Sequence, residues 1–225
     1  MARAAGKVTN DRKSHRHHVH QLAPFSAQYA RGLDLIDAAH AEDPKTIPGP
    51  DGTTIPYELH YAHKMTKWLA LRSPESAPVL QLACRAQHFR RWEIPRSSHP
   101  MTRPGYLTWR SKLKAQAAKQ VAELLASPSI QPAIPEADRH RVAALIRKEN
   151  LTSDEETQVL EDVACLVFLD DQFDDFESKS DIDEEKIIGI LRKTWGKMGD
   201  KGRQLALDME LSDRAKELIG KALAS

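Results

Sequence analysis

Apolar side chains recur at three-to-four spacing along most of this chain, a rhythm that predicts helices. From Pro24 to Glu42 it runs through Tyr29, Leu33, Ile36 and Ala39, and from Tyr57 to Leu71 through Leu59, Ala62, Thr66 and Leu69. Pro78 suits the first turn of a third helix, which the pattern carries to about Arg91. That helix is apolar on more than one side (Val79, Leu80, Leu82, Ala83, Cys84, Ala86), so it belongs at the centre. A long helix over Gly105 to Ala126 follows the stripe Tyr106, Arg110, Leu113, Ala117, Val121 and Leu124, and a shorter one spans Glu136 to Lys148. Ser153 and Glu156 form a capping box that opens a helix from Asp154 to about Phe176. Three more helices are expected over roughly Glu184–Lys197, Lys201–Asp208 and Ser212–Leu223.

Between these segments, Asp43 to Pro56 contains PGPDGTTIP and is read as a loop. No stretch alternates apolar and polar residues over a strand's length. VACLVFL has a strand's composition, but its capping box and the helical polar segments beside it favour helix. The fold class is therefore all-α, a single domain of about eight helices over residues 23–225 behind a disordered basic leader over residues 1–22.

Composition narrows the function. The 225 residues are 40% apolar and 29% charged, as in an ordinary globular protein, and the formal net charge is only +1. There is no global field to attract nucleic acid or a membrane surface. No apolar run approaches the roughly 18 residues a membrane helix needs. Cys84 and Cys165 sit inside apolar helical patterns and read as buried thiols of a cytoplasmic protein. The N-terminus lacks an apolar signal core. Its Arg3, Lys7, Arg12, Lys13 and Arg16 leave a solvated leader as the main reading, with organelle targeting as the alternative.

Candidate chemistry concentrates between Leu82 and Arg110, where two core helices meet across a proline-punctuated loop. Arg91, Arg96, Arg103 and Arg110 are spaced over a helix end, that loop and the next helix. Guanidinium forks grip phosphate or carboxylate bidentately, so these four, walled by Trp92, Tyr106 and Trp109, would make an anion pocket. Arg110 lies on an apolar stripe and is the one expected to be structural. His88 ends the central helix and is either a ligand or general base, or a core histidine bonded to a carbonyl. His63, with His60 as its alternative, is a weaker candidate.

Asp162 shares a helix face with Val159, Leu166, Leu169 and Phe173. An acid there needs a cation, a metal or a proton. It is either a metal ligand or general base, or the partner of an arginine such as Arg91 or Arg110. The acidic run Asp170, Asp171, Asp174, Asp175, Glu177, Asp181 and Asp183 reads as a solvated helix end; it lacks the spaced ligands and the glycine of an EF-hand.

AQHFRRWEIPRSSHPMTRPGYLTWR, LEDVACLVFLDDQFDDF and ILRKTWGKMGDKG resemble an uncharacterised family of bacteria and fungi known only as a domain of unknown function. The resemblance spans roughly Phe25 to Ala222. Some fungal members carry a glutamyl-tRNA synthetase label that these residues do not support. The family in turn resembles the HD-domain metal phosphohydrolases, which are all-α and hold metal on a histidine, a His-Asp doublet and a later aspartate. That likeness implies an HD-like core with His63, His88 and Asp162 as ligands of one divalent ion (Zn, Mn or Fe). The doublet reads His88-Phe89, so its aspartate is absent.

Three functions follow as expectations. One is a metal-dependent hydrolase of a phosphorylated small molecule, with His88 and Asp162 catalytic and Arg91 and Arg96 on the phosphate. Another is a metal-free module that recognises an anionic ligand through the Arg/Trp/Tyr pocket. An RNA-associated role, prompted by the basic leader, is disfavoured by the near-neutral charge.

Overall fold

The computed structural model describes residues 21–49, 52–177 and 183–224. It is all-α, with ten α-helices among the described residues and one small hairpin. The helices are α1 (Ala27–His40), α2 (Tyr57–Arg72), α3 (Pro78–Arg85), α4 (Arg103–Leu125), α5 (Glu136–Arg147), α6 (Glu155–Val167), α7 (Phe173–Glu177), α8 (Glu184–Lys197), α9 (Asp200–Leu207) and α10 (Asp213–Leu223). No helix is long and apolar enough to cross a membrane among the described residues. Residues 1–20 of the expected leader lie outside the described residues, and Leu22 already packs against the core.

The apolar faces meet in one cluster reaching from Ile36 to Ala222. Helix α3 is buried on every side from Leu80 to Arg85 and touches α1, α2, α5 and α6, as its all-round apolar pattern predicts. Both cysteines are buried and free.

Several expectations need correction. The 43–56 segment is not only loop: Thr46–Pro48 (β1) and Thr54–Pro56 (β2) pair antiparallel, with Ile47 opposite Ile55. Each strand is a Thr-Ile-Pro triplet, too short for an alternation to show. Helix α3 ends at Arg85, not near Arg91, because His88 (φ 62°) and Arg90 (φ 48°) adopt left-handed backbone that no helix accommodates. On α4 the buried face is Gly105, Trp109, Ala117, Ala118, Val121 and Leu125: the expected stripe holds at Ala117 and Val121 but fails near the start of the helix, where Gly105 and Trp109 are buried while Tyr106 is exposed and Arg110 half-buried. The cap of α6 is Asp154, which accepts from Thr157 N at 2.9 Å, rather than Ser153. The Asp154–Phe176 helix is interrupted by a π turn over Phe168–Gln172.

That turn also corrects the reading of the acidic run at its first two members, Asp170 and Asp171. It aims three consecutive side chains at one face of α2. Asp170 accepts from Lys64 Nζ and Trp68 Nε1, both at 3.0 Å; Asp171 bonds His60 at 2.6 Å; Gln172 donates to the Tyr57 hydroxyl at 2.5 Å. Asp170 and Asp171 thus bolt α2 to the end of α6, whereas Asp174 and Asp183 are exposed, as a solvated run would be, and Asp181 lies outside the described residues.

Asp162 sits at the junction of α6, α2 and α9 and is fully buried. Its partner is Arg72, at 2.7 Å from Nε, not Arg91 or Arg110. Its other oxygen accepts from Gly199 N and Gln158 Nε2, each at 2.8 Å, which caps α9 from a neighbouring helix. Gly202 lies against the same carboxylate, so a Cβ there would sit 2.7 Å from Asp162 Cγ. Gly202→Ala is expected to destabilise the fold by about 1–3 kcal/mol, although alanine is the better helix former. Gly189→Ala in α8, where a Cβ meets open space, should stabilise by about 0.5–1 kcal/mol. Urea denaturation of the pair checks the contrast, and equal effects would refute it.

Candidate functional site

A concave pocket of about 350 Å³ opens where the hairpin, the start of α2, the turns after α3 and the π turn converge. Lys45, Glu58, His88, Arg91, Arg96 and Gln172 supply its chemistry, and Trp92 and Trp109 form apolar wall. The other cavity of note, beside α8 and α10, is apolar and about 10 Å³, room for at most one water.

Local structure builds this pocket from separate stretches of chain. Helix α2 starts at Tyr57 behind Pro56, which offers no side-chain cap. Asp43 supplies the missing acceptor from the far side of the hairpin: its carboxylate takes Glu58 N and Lys45 N, both at 2.9 Å. Glu58 is thereby fixed at the pocket wall with only 4% of its surface exposed. Its Oε2 has no hydrogen-bond partner. Burial pushes the Glu58 carboxyl up to about 8, against the opposing pull of Arg91, so it is largely protonated at neutral pH.

His88 stacks on Tyr61 with ring centroids 4.1 Å apart. Its Nε2 lies 3.0 Å from an Arg91 guanidinium nitrogen. A guanidinium only donates, so Nε2 accepts and the imidazole proton resides on Nδ1. Burial first, then Arg91, Arg110 and Lys148, hold His88 well below its ordinary value, so it is neutral. Nδ1 has no hydrogen-bond partner, and the nearest carboxylate oxygen is Glu58 Oε2 at 3.9 Å. Two buried polar atoms thus face each other slightly beyond bonding distance, beside a backbone held in the left-handed region.

The arginines are ordered by one indole. Arg91 lies over the Trp109 ring at 4.9 Å and Arg96 at 5.8 Å. Trp109 is itself pinned, donating to the Ile94 carbonyl at 2.8 Å. Arg96 also donates to the carbonyls of His99 and Pro100 and lies over Tyr106. Lys45 sits 3.9 Å over the Tyr57 ring. Neither Arg91 nor Arg96 forms an ion pair among the described residues, which leaves their charge directed at the pocket. The lining carries three cations against the Asp43 carboxylate, a formal +2 while Glu58 is protonated.

Of the anion-binding residues expected from sequence, Arg91, Trp92 and Arg96 line the pocket, and Tyr106 backs Arg96. Arg103 is exposed and outside the lining, and Arg110 is outside it but within Coulombic reach of Arg91. Sequence reasoning missed Lys45, Glu58 and Gln172. Glu58 reads as an ordinary acid in a first helical turn, and nothing in the sequence marks the π turn that aims Gln172.

The expected metal ligands do not come together. His63 is exposed on α2. Asp162 is saturated by three donors, and His88 faces a guanidinium. Among the described residues no three His, Cys, Asp or Glu side chains are grouped to hold a metal ion. These residues do not fit the divalent ion that the HD resemblance implies.

A family model described as a domain of unknown function (DUF4202) matches residues 30–219. No curated protein matches the chain, and no solved structure does.

Proposed function

This chain belongs to the DUF4202 family of unknown function, and we propose from the pocket's chemistry that it binds a small molecule bearing a phosphate or carboxylate without a metal. The observation that carries this reading is the charge of the lining: Lys45, Arg91 and Arg96 face a space whose buried acid, Glu58, is neutral at pH 7. Arg91 and Arg96 are half-buried and form no ion pair among the described residues, so an anion bound here would supply the counter-charge they lack. The volume suits a small ligand, and the half-apolar wall of Trp92 and Trp109 suits a ring or alkyl body beside the anionic group. The guanidiniums are already held on Trp109, so little side-chain entropy is lost on binding.

Inorganic phosphate and a panel of sugar phosphates should raise the melting temperature with a chelator present. Arg96→Ala should abolish the gain, because Arg96 bonds only to two loop carbonyls within the protein. No stabilisation by any phosphorylated or carboxylated probe would overturn the proposal.

The Glu58–His88 pair favours a second reading, in which the bound molecule is also a substrate. Glu58, held protonated at neutral pH, can give up a proton as an acid, while His88, whose ring proton is on Nδ1, offers an N–H donor rather than a base beside it. Both unpartnered atoms, Oε2 and Nδ1, are free to engage a ligand hydroxyl or amide.

A further inference from the structure

We propose that the ligand carries a carbonyl group next to its anionic group, and that Glu58 and His88 donate together to the carbonyl oxygen while Arg91 and Arg96 hold the anion. This rests on the anion reading of the pocket and names the class of molecule it takes, an oxo acid or an oxo phosphate. Glu58 and His88 line the same cavity as the two arginines. Glu58 Oε2 and His88 Nδ1 are 3.9 Å apart, and neither has a hydrogen-bond partner. The gap is too long for a bond between them, yet one oxygen beside it can lie at about 2.8 Å from each.

Both groups present a hydrogen. Arg91 donates to His88 Nε2 at 3.0 Å, so the ring proton is on Nδ1. The stack on Tyr61 fixes the direction in which that N–H points. Glu58 is 4% exposed and keeps its proton at neutral pH, so it offers an O–H. Buried donors left unpaired are costly, and a ligand atom that satisfies both gains over one that satisfies neither. A carbonyl oxygen has two lone pairs and no hydrogen of its own, which matches two donors. The terminal torsion of a glutamate is soft, so a turn of the Glu58 carboxyl opens the gap to the pocket. The Arg91 guanidinium and the Nδ1–H flank one imidazole ring, which sets anion and carbonyl a few bonds apart in a small molecule. Two donors on that oxygen also draw charge from its carbon and so activate it.

Calorimetric titration of the full chain at pH 6.5 and pH 9.5 tests this. The probes are 2-oxobutanoate, 3-oxobutanoate and dihydroxyacetone phosphate, each beside its hydroxyl counterpart, with butanoate and propyl phosphate as carbonyl-free parents. At pH 6.5 at least one oxo compound should bind about tenfold or more tighter than its carbonyl-free parent, the scale of two buried donors left unpaired. At pH 9.5 the Glu58 O–H is gone and that ratio should fall toward one. Asp43, Lys45, Tyr57 and Arg91 share the lining with Glu58, but their effect on the anion is common to both members of a pair and cancels in the ratio. Glu58→Gln keeps an N–H donor and should hold the oxo preference at both pH values, whereas Glu58→Leu should lose it at both and still bind the carbonyl-free parents. A hydroxyl counterpart as tight as its oxo partner at pH 6.5, or an oxo preference in the parent protein that is unchanged at pH 9.5, would overturn the carbonyl subsite and leave the anion site intact. Failure of every anion, the carbonyl-free ones included, would remove the anion reading itself.

Discussion

Replacing Asp162 by asparagine lowers the unfolding free energy by about 3–5 kcal/mol, the scale for breaking a buried ion pair from one side. The geometry makes asparagine no milder than alanine. All three partners of the carboxylate are donors: Arg72 Nε, Gly199 N and Gln158 Nε2. An amide would set an N–H against one of them and leave the Arg72 guanidinium, only 14% exposed, without its counter-charge. For a domain of this size the loss amounts to a fall in melting temperature of roughly 10 °C or more. Adding Arg72→Met should recover part of it, since the uncompensated cation is then gone, and the double-mutant cycle measures the coupling. A general base or metal ligand would behave oppositely, losing activity with the melting temperature kept. A Asp162→Asn protein within about 1 kcal/mol of the parent in urea would sink the structural account.

Glu58→Gln should stabilise the protein at pH 8 by on the order of 4 kcal/mol and do little at pH 4.5. The folded-state carboxyl stays protonated up to about 8, whereas in the unfolded chain it ionises near 4.5. Between those values the unfolded state binds fewer protons, so stability falls as pH rises, and the slope vanishes above about 8. His88 works in the other direction. Its folded pKa lies well below 6.5, so the unfolded state takes up a proton first and stability falls as pH drops below 6.5. His40, lowered to about 4 mainly by burial, adds to that acid-side loss. The parent protein should therefore be most stable on the mildly acidic side of neutrality, and Glu58→Gln should flatten only the alkaline limb. The same variant separates recognition from catalysis: phosphate binding should persist and lose its decline above pH 8, while any turnover should disappear. A parent and variant with identical stability–pH curves would refute the buried neutral acid.

Periodicity located nearly every helix because each buries one long apolar face, and that signal is local. Pro78 and the all-round apolar run after it placed α3 at the centre. The segment from Leu82 to Arg110 stood out because polar groups crowd a core junction there, and its Arg91, Trp92 and Arg96 do line the pocket. Features that depend on long-range packing were not legible. Glu58 is unusual only because the hairpin and the turns after α3 cover it. Asp162 was recognisable as a buried acid, but its partner stands 90 residues away at the end of α2. Gly199 and Gly202 were the available clue, two small residues where another chain segment must come close. The π turn has no residue signature, and without it the acids after Leu169 look like solvent-facing charge.

Trp109 holds both pocket arginines against one indole, and Trp92 lines the same space, whereas Trp68 and Trp195 lie outside that lining. The chain has four tryptophans, so replacing Trp68 and Trp195 by phenylalanine would leave the protein's ultraviolet emission to the pocket alone. Guanidiniums that shift toward an arriving anion change the field on that indole. Occupancy could then be followed from the protein's own fluorescence, with no label and before the natural ligand is identified.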